Sequence, residues 1–148
     1  MYLDTALFKC IVRNAPLISI DLIIEDDNNS FLLGRRNNRP ARGFWFVPGG
    51  RILKNESLDD AFLRITSSEL GISFDRNSAH FMGVYEHFYD DNFSEEMFST
   101  HYVVLAFKLI TLKQFIPSNH EQHNEYLWIK KDDILTSEFV HHNTKAYF

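Results

Sequence analysis

One stretch constrains the fold more than any other: GGRILKNESLDDAFLRITSSELGI, Gly49 to Ile72. Its two adjacent glycines mark a turn. Ser57 is a helix N-cap candidate, with Asp59 and Asp60 in the first turn, where the helix dipole favours acids. Leu58, Ala61, Phe62, Ile65 and Glu69 recur at three- and four-residue spacing, which puts them on one stripe. Gly71 is the stop signal. The spacing therefore predicts a loop, an amphipathic helix and a second loop. It also sets one acid, Glu69, on an otherwise apolar stripe, an unfavourable place for a carboxylate without a task.

The flanks read as strands with few helices. TALFKCIVRNA, from Thr5, is a short helix ending before Pro16. LISIDLIIED is a strand with Asp21 in its middle. NNSFLLGRRN is a turn at Asn28-Asn29 followed by a strand, hence a hairpin. FWFVPGG is a short strand closing on a proline-glycine turn. HFMGVYEHFYD and STHYVVLAFKLI are strands separated by the polar loop DDNFSEEMF. NEYLWIKKDDI is a last strand, and the C-terminal segment holds a helix. This mixed order predicts an α+β chain, an α/β/α sandwich with a mixed β-sheet. No linker or repeat divides the 148 residues, so one domain over 1–148 is expected.

Composition excludes some classes. No apolar run approaches the ~20 residues that span a bilayer, so no membrane partner is expected. The start carries Asp4 and lacks a signal-peptide pattern. The single cysteine, Cys10, makes no internal disulfide, and a cytoplasmic protein is the simple reading. A net charge of −5 argues against a general nucleic-acid coat but is compatible with a local basic pocket.

Gly49 to Ile72 resembles the Nudix box, G-x5-E-x7-R-E-U-x-E-E-x-G-U with U apolar. Gly50, Glu56, Arg64, Glu69, Gly71 and Ile72 match in register. Ile65 and Ser68 stand where two acids are usual, and Thr66 replaces an apolar residue. A box altered in this way is similar to that of the GDP-mannose mannosyl hydrolases, a divergent Nudix branch. NRPARGFWFVPGGR, HFYDDNF, THYVVLAF, EQHNEY and the closing AYF carry the likeness over nearly the whole chain.

The resemblance implies a Nudix fold, a nucleotide-sugar substrate, a homodimer and one Mg²⁺ per site, with Mn²⁺ as a substitute. It assigns the ion to the Gly49 carbonyl, Glu69 and Gln122. Mg²⁺ takes oxygen ligands and retains waters, so the loss of two acids would weaken a multi-metal cluster most. Glu56 and Arg64 are implied to hold the glycine loop against the helix. His123, beside Gln122, is implied as the general base; imidazole titrates near neutral pH, which suits that work. Arg36 and Arg51 match the branch's phosphate-side arginines, and Tyr102 is a further donor to a leaving diphosphate. Arg35 and Arg39 are expected on the solvated surface.

Breaking a glycosyl bond at C1 develops oxocarbenium character that a carboxylate stabilises. Asp21 fits that need, unless strand alternation turns it to solvent. His87 is the candidate to pair with it or to bind a sugar hydroxyl, unless its segment merely shapes a loop. The remaining histidines, His141 and His142 among them, have no zinc spacing. Three readings follow. The first is hydrolysis of GDP-mannose, with GDP-glucose as a further substrate, to GDP and free sugar by direct water attack at carbon with inversion. The second is a conventional pyrophosphohydrolase attacking phosphorus. The third is a non-catalytic nucleotide-sugar sensor. Fold alone does not choose among them.

Overall fold

Strand β1 (Leu17–Glu25) carries apolar side chains on both faces, and both are covered. Ile20, Leu22 and Ile24 face one cluster and Ile23 faces another. A strand buried on both sides belongs at the centre of a layered sheet. The computed structural model describes residues 2–118 and 123–148, the latter without the side chains of His123 and Asn124.

β1 runs parallel to β6 (Thr100–Ile110), from Leu17 opposite Tyr102 to Glu25 opposite Ile110. β5 (His80–Tyr89) pairs antiparallel with β6, His87 opposite Tyr102, with a bulge between Phe81 and Gly83. On its other side β1 meets β2 (Ser30–Arg36) only at Glu25 and Phe31. Beyond that hairpin the two strands splay. β3 (Trp45–Phe46) lines the opening along β2, and β4 (Gly49–Arg51) lines it along β1. β7 (His123–Lys130) follows the length of β2. The hairpin turn is where the sequence predicts it: Asn29 has φ 58°. The Asp26 carboxylate there accepts the backbone N–H groups of Asn28 and Ser30 at 2.9 and 2.8 Å.

Helix α2 (Leu58–Leu70) covers one face of the sheet. Ser57 caps it, accepting the Asp60 N–H at 3.1 Å, and Gly71 ends it with φ 73°, a conformation that glycine adopts without strain. Ala61, Phe62, Ile65 and Leu70 join Ile20, Leu22, Phe107 and Leu109 in the core. Leu58, expected on the buried stripe, is 39% exposed; it is the first residue of the helix and lies beyond the sheet-facing turns. On the opposite face α3 (Lys131–Thr136), α4 (His142–Lys145) and their flanks contribute Ile134, Val140 and Tyr147. Helix α1 (Thr5–Asn14), capped by Asp4, lies against β6. The α/β/α layering and mixed sheet are as expected.

Two element boundaries differ from expectation. The last strand stops at Lys130, and the KDDI that follows begins α3. Asp132 and Asp133 sit in its first turn, where acids favour a helix over a strand. FWFVPGG is two short strands rather than one, because Val47 and Pro48 carry the chain from β2 across to β1, where the Pro48 carbonyl accepts the Leu22 N–H at 2.8 Å.

The loop between β4 and α2 is tied by one ion pair. Arg64 donates to both Glu56 carboxylate oxygens at 2.6 and 2.9 Å and to the Arg51 carbonyl at 2.8 Å. Glu56 also accepts the Leu53 N–H at 2.9 Å. Hydrogen bonding from Arg64 is the main cause that holds the Glu56 carboxyl below its usual value of 4.5. A carboxyl depressed in the folded state adds stability above its unfolded pKa and loses it as pH falls through the folded value. Glu56→Gln is therefore predicted to cost about 2 kcal/mol at pH 7, with the difference narrowing below pH 4.5. Urea unfolding across pH checks this; a difference independent of pH would contradict it.

Candidate active site

The splay of β1 from β2 opens a cleft. Asp21, Arg36, Gly49, Arg51, His87 and Tyr102 all line it. They come from five strands, and pairing explains their convergence. Asp21 lies opposite Gly49, Ser19 opposite Arg51, and Tyr102 bridges Leu17 and His87 in register. Gly49 has a steric reason to be glycine. A Cβ there would fall 2.5 Å from both Asp21 Oδ1 and the Ile20 carbonyl oxygen.

Both cleft arginines are braced by neighbouring groups. Arg36 donates its Nε to the Pro40 carbonyl at 3.0 Å and sits over the Phe46 ring at 5.7 Å. The Arg51 guanidinium lies 4.4 Å from the Phe8 ring centre on α1, and Phe8 in turn packs on Phe93 of the HFYDDNF segment. Such cation–π contacts orient a guanidinium while leaving its charge intact. Burial pushes the Tyr102 hydroxyl up, with Arg36 and Arg51 pulling it back. It is therefore a protonated donor at neutral pH, close to both arginines. Arg35 is exposed as expected, paired with Glu125 at 3.3 Å. Arg39 is not merely solvated. It donates to the Ser94 carbonyl at 2.5 Å and pairs with Glu95 at 2.9 Å, tying together two loops near the cleft.

Asp21 is half-buried rather than turned to solvent. Burial raises its carboxyl to about 7, opposed by the Tyr147 hydroxyl and by Arg36. Tyr147 donates to Asp21 Oδ2 at 2.5 Å, and its oxygen lies 3.2 Å from His87 Nε2. His87 thus meets Asp21 through Tyr147. Burial is also the main cause that lowers His87 to about 4, so its ring is neutral at pH 7. Beside it, His141 stacks on Phe46 at 4.8 Å and caps α4 through the Asn143 N–H. That role is structural, in keeping with the lack of zinc spacing. Tyr147 lies in the closing AYF, 126 residues from Asp21. The sequence marks that stretch only as part of a resemblance, and no spacing links it to β1.

The altered box residues have visible occupations. Ile65 is 1% exposed in the core and packs on Gly50, where a Cβ would come within 3.1 Å of it. Ser68 is exposed and bonds back to the Ile65 carbonyl at 3.3 Å. Thr66 donates to the Phe62 carbonyl at 2.8 Å and accepts the Phe74 N–H at 3.0 Å, fastening the chain after α2 to the helix. Glu69 remains, 6% exposed. It stands near Tyr126, whose hydroxyl is pushed up to about 12 by burial and then by the Glu69 charge.

Gln122 lies outside the described residues. So does the side chain of His123, whose backbone opens β7 opposite Arg36. Among the described residues no three His, Cys, Asp or Glu side chains converge as metal ligands. Gly49 is among the residues that line the cleft and Glu69 is not. The Glu69 carboxylate and the Gly49 carbonyl are both hard oxygen donors, the ligand type that Mg²⁺ takes.

A splayed mixed sheet, a capped loop-helix-loop and a cleft lined by two arginines characterise this α+β domain. Residues 15–148 match the NUDIX domain, and the chain belongs to the Nudix family. It is 46% identical over 102 residues to the low-salt glycan biosynthesis protein Agl8 of Haloferax volcanii, a match covering 69% of this chain and 64% of that protein. It is 37% identical over 57 residues to an ADP-ribose pyrophosphatase of Methanocaldococcus jannaschii, covering 38% of this chain and 33% of that one. The chain thus spans less than two thirds of either relative. The fold is shared with the MutT protein from Methanosarcina mazei Go1, at TM-score 0.71 and 24% identity, over 90% of this chain and 91% of that one. No helix among the described residues is long and apolar enough to cross a membrane.

Ile65→Glu, which rebuilds a box acid, is predicted to destabilise the metal-free protein by about 3 kcal/mol, because it places a carboxyl in an apolar core. Urea midpoints compare the two proteins. Equal stability would show that position 65 reaches solvent.

Proposed function

We propose that the chain is a Mg²⁺-dependent hydrolase of a nucleotide sugar, GDP-mannose first and GDP-glucose second, yielding GDP and free sugar. Water attacks the anomeric carbon directly, with inversion. The observation that carries the reading is the sharing of one cleft by a carboxyl group, Asp21, and two guanidinium groups, Arg36 and Arg51, with the neutral Tyr102 hydroxyl. A glycosyl transition state needs both signs of charge, negative beside the ring and positive beside the departing diphosphate. Attack at phosphorus by a metal-activated water calls instead for more carboxylates on the helix, where this chain has Ile65 and Ser68.

His123 takes the proton from the attacking water. Arg36 and Arg51 meet charge that grows on the leaving diphosphate, and Tyr102 donates to it. These contacts strengthen as the bond breaks, so they lower the barrier rather than merely tighten binding. Asp21 stands against the sugar, where positive charge develops, with His87 beside it. Gly49, Glu69 and Gln122 hold the ion, which when bound neutralises diphosphate charge. The name of the Haloferax relative, a glycan biosynthesis protein, agrees with a nucleotide-sugar substrate. The reading includes a homodimer. Its support is the exposure of Ile18, Val84 and Phe88, at 51%, 61% and 59%, on one sheet face. The likeness to an ADP-ribose pyrophosphatase favours the second reading, cleavage between phosphorus atoms.

His123→Gln is predicted to lower kcat about a hundredfold or more with Mn²⁺ affinity nearly unchanged, as read by electron paramagnetic resonance. Loss of metal affinity would remove His123 as the base. Glu69→Gln is predicted to weaken metal binding and turnover together; an unchanged titration would take Glu69 out of the coordination shell. Proton NMR of the first-formed sugar tests the stereochemistry. Inversion gives the anomer opposite to that of the substrate, and retention would exclude a single displacement.

A further inference from the structure

The contact between Asp21 and His87 through Tyr147 has a direction set by proton count. Tyrosine has one O–H to donate, and an ionised carboxylate only accepts. The 2.5 Å separation from Asp21 Oδ2 is the length of a charge-assisted O–H···O⁻ bond. Where Asp21 is ionised, above its raised value of about 7, that bond uses the tyrosine proton, so at 3.2 Å the His87 Nε2 is the donor. The order is His87 Nε2–H to Tyr147 Oη–H to Asp21 Oδ2. Two further facts agree. Burial and the Asp21 charge raise the Tyr147 hydroxyl, keeping its proton on. Burial keeps His87 neutral, so one ring nitrogen carries a hydrogen and the other does not.

Tyr147 is itself held firmly. It is 7% exposed, its ring meets Tyr85 edge-on at 4.7 Å, and the neighbouring Phe148 packs edge-on against Phe31 at 4.6 Å. The other carboxylate oxygen, Oδ1, faces Gly49, where only a glycine leaves room beside it. One oxygen of Asp21 is thus anchored by a rigid donor, and the other packs beside Gly49, which lines the cleft together with Asp21.

We propose that Tyr147 is a positioning residue. It pins Asp21 Oδ2 so that Oδ1 faces the reacting sugar, and it sets His87 as the Nε2–H tautomer, leaving Nδ1 as an acceptor. This rests on the role given to Asp21 above. Tyr147 touches neither sugar nor diphosphate. It acts by removing the rotation that a lone carboxylate would retain, which matters most once positive charge develops at C1.

The test uses Tyr147→Phe, which keeps the ring against Tyr85 and deletes only the hydroxyl. With GDP-mannose and Mg²⁺, kcat is expected to fall about tenfold to a hundredfold, with KM and melting temperature nearly unchanged. Asp21→Asn alone is expected to lower kcat at least as far. Adding Tyr147→Phe to it should cause no further loss, since the two act as a unit. If Asp21→Asn lowers turnover and Tyr147→Phe does not, or if the losses multiply, the positioning role is overturned. If Asp21→Asn leaves turnover unchanged, the role of Asp21 fails and that of Tyr147 with it. Nitrogen-15 NMR of the His87 ring in the wild-type protein is a check independent of turnover. The Nε2–H tautomer is expected, and a proton on Nδ1 would overturn the assigned direction.

Discussion

Everything at the cleft depends on β1 and β2 separating after a single paired position, Glu25 with Phe31. In a sheet that stayed zipped, β2 would occupy the place beside Asp21 that β4 takes at Gly49. The separation leaves room for the Val47 to Arg51 segment, and two glycines let that segment lie close against β1 and α2. The 2.5 Å clearance at Gly49 and the 3.1 Å clearance at Gly50 leave no space for a side chain at the first and little at the second. Backbone thus approaches backbone between Asp21 and Arg51, both of which line the cleft. The Glu56–Arg64 pair then fixes the loop beyond, because Arg64 binds the Arg51 carbonyl directly.

The charged groups in the cleft rest on different supports, although Arg36 still acts on Asp21 through its charge. Arg36 and Arg51 lean on aromatic rings, Phe46 and Phe8, which neutralise neither. Asp21 leans on a tyrosine, which donates a hydrogen bond without supplying a countercharge. An arginine in place of that tyrosine would have quenched the carboxylate. The rings of Phe46 and Tyr89 line the cleft, and His141 stacks on Phe46. Ile65 extends the same economy into the helix: once carboxylates are not needed there, the position packs the core and holds Gly50 in place.

Legibility in the sequence followed the range of the interaction. The α2 helix was readable end to end, because its cap, its stripe and Gly71 are local signals. Leu58 was misjudged because helical spacing does not say where the sheet ends. The β1–β2 hairpin was readable from Asn28-Asn29. The division of FWFVPGG into β3 and β4 was not, since it reflects a crossing between splayed strands. Arg36, Gly49, Arg51 and Tyr102 follow from the resemblance, Asp21 and His87 from the charge that a glycosyl transition state needs, and the fold brings all six to one cleft. Arg39 and Tyr147 escaped for a common reason. Their partners, Ser94 and Asp21, lie 55 and 126 residues away, and no periodicity reports such a contact.

The central claim is that water attacks carbon. Turnover of GDP-mannose with Mg²⁺ in oxygen-18 water tests it directly, with both products read by mass spectrometry. Attack at carbon gives labelled mannose and unlabelled GDP, the expected result. Label in GMP or in mannose 1-phosphate would mean attack at phosphorus, and would contradict the account despite Ile65 and Ser68. Bound nucleotide with no turnover would contradict it as well, and would make the chain a sensor.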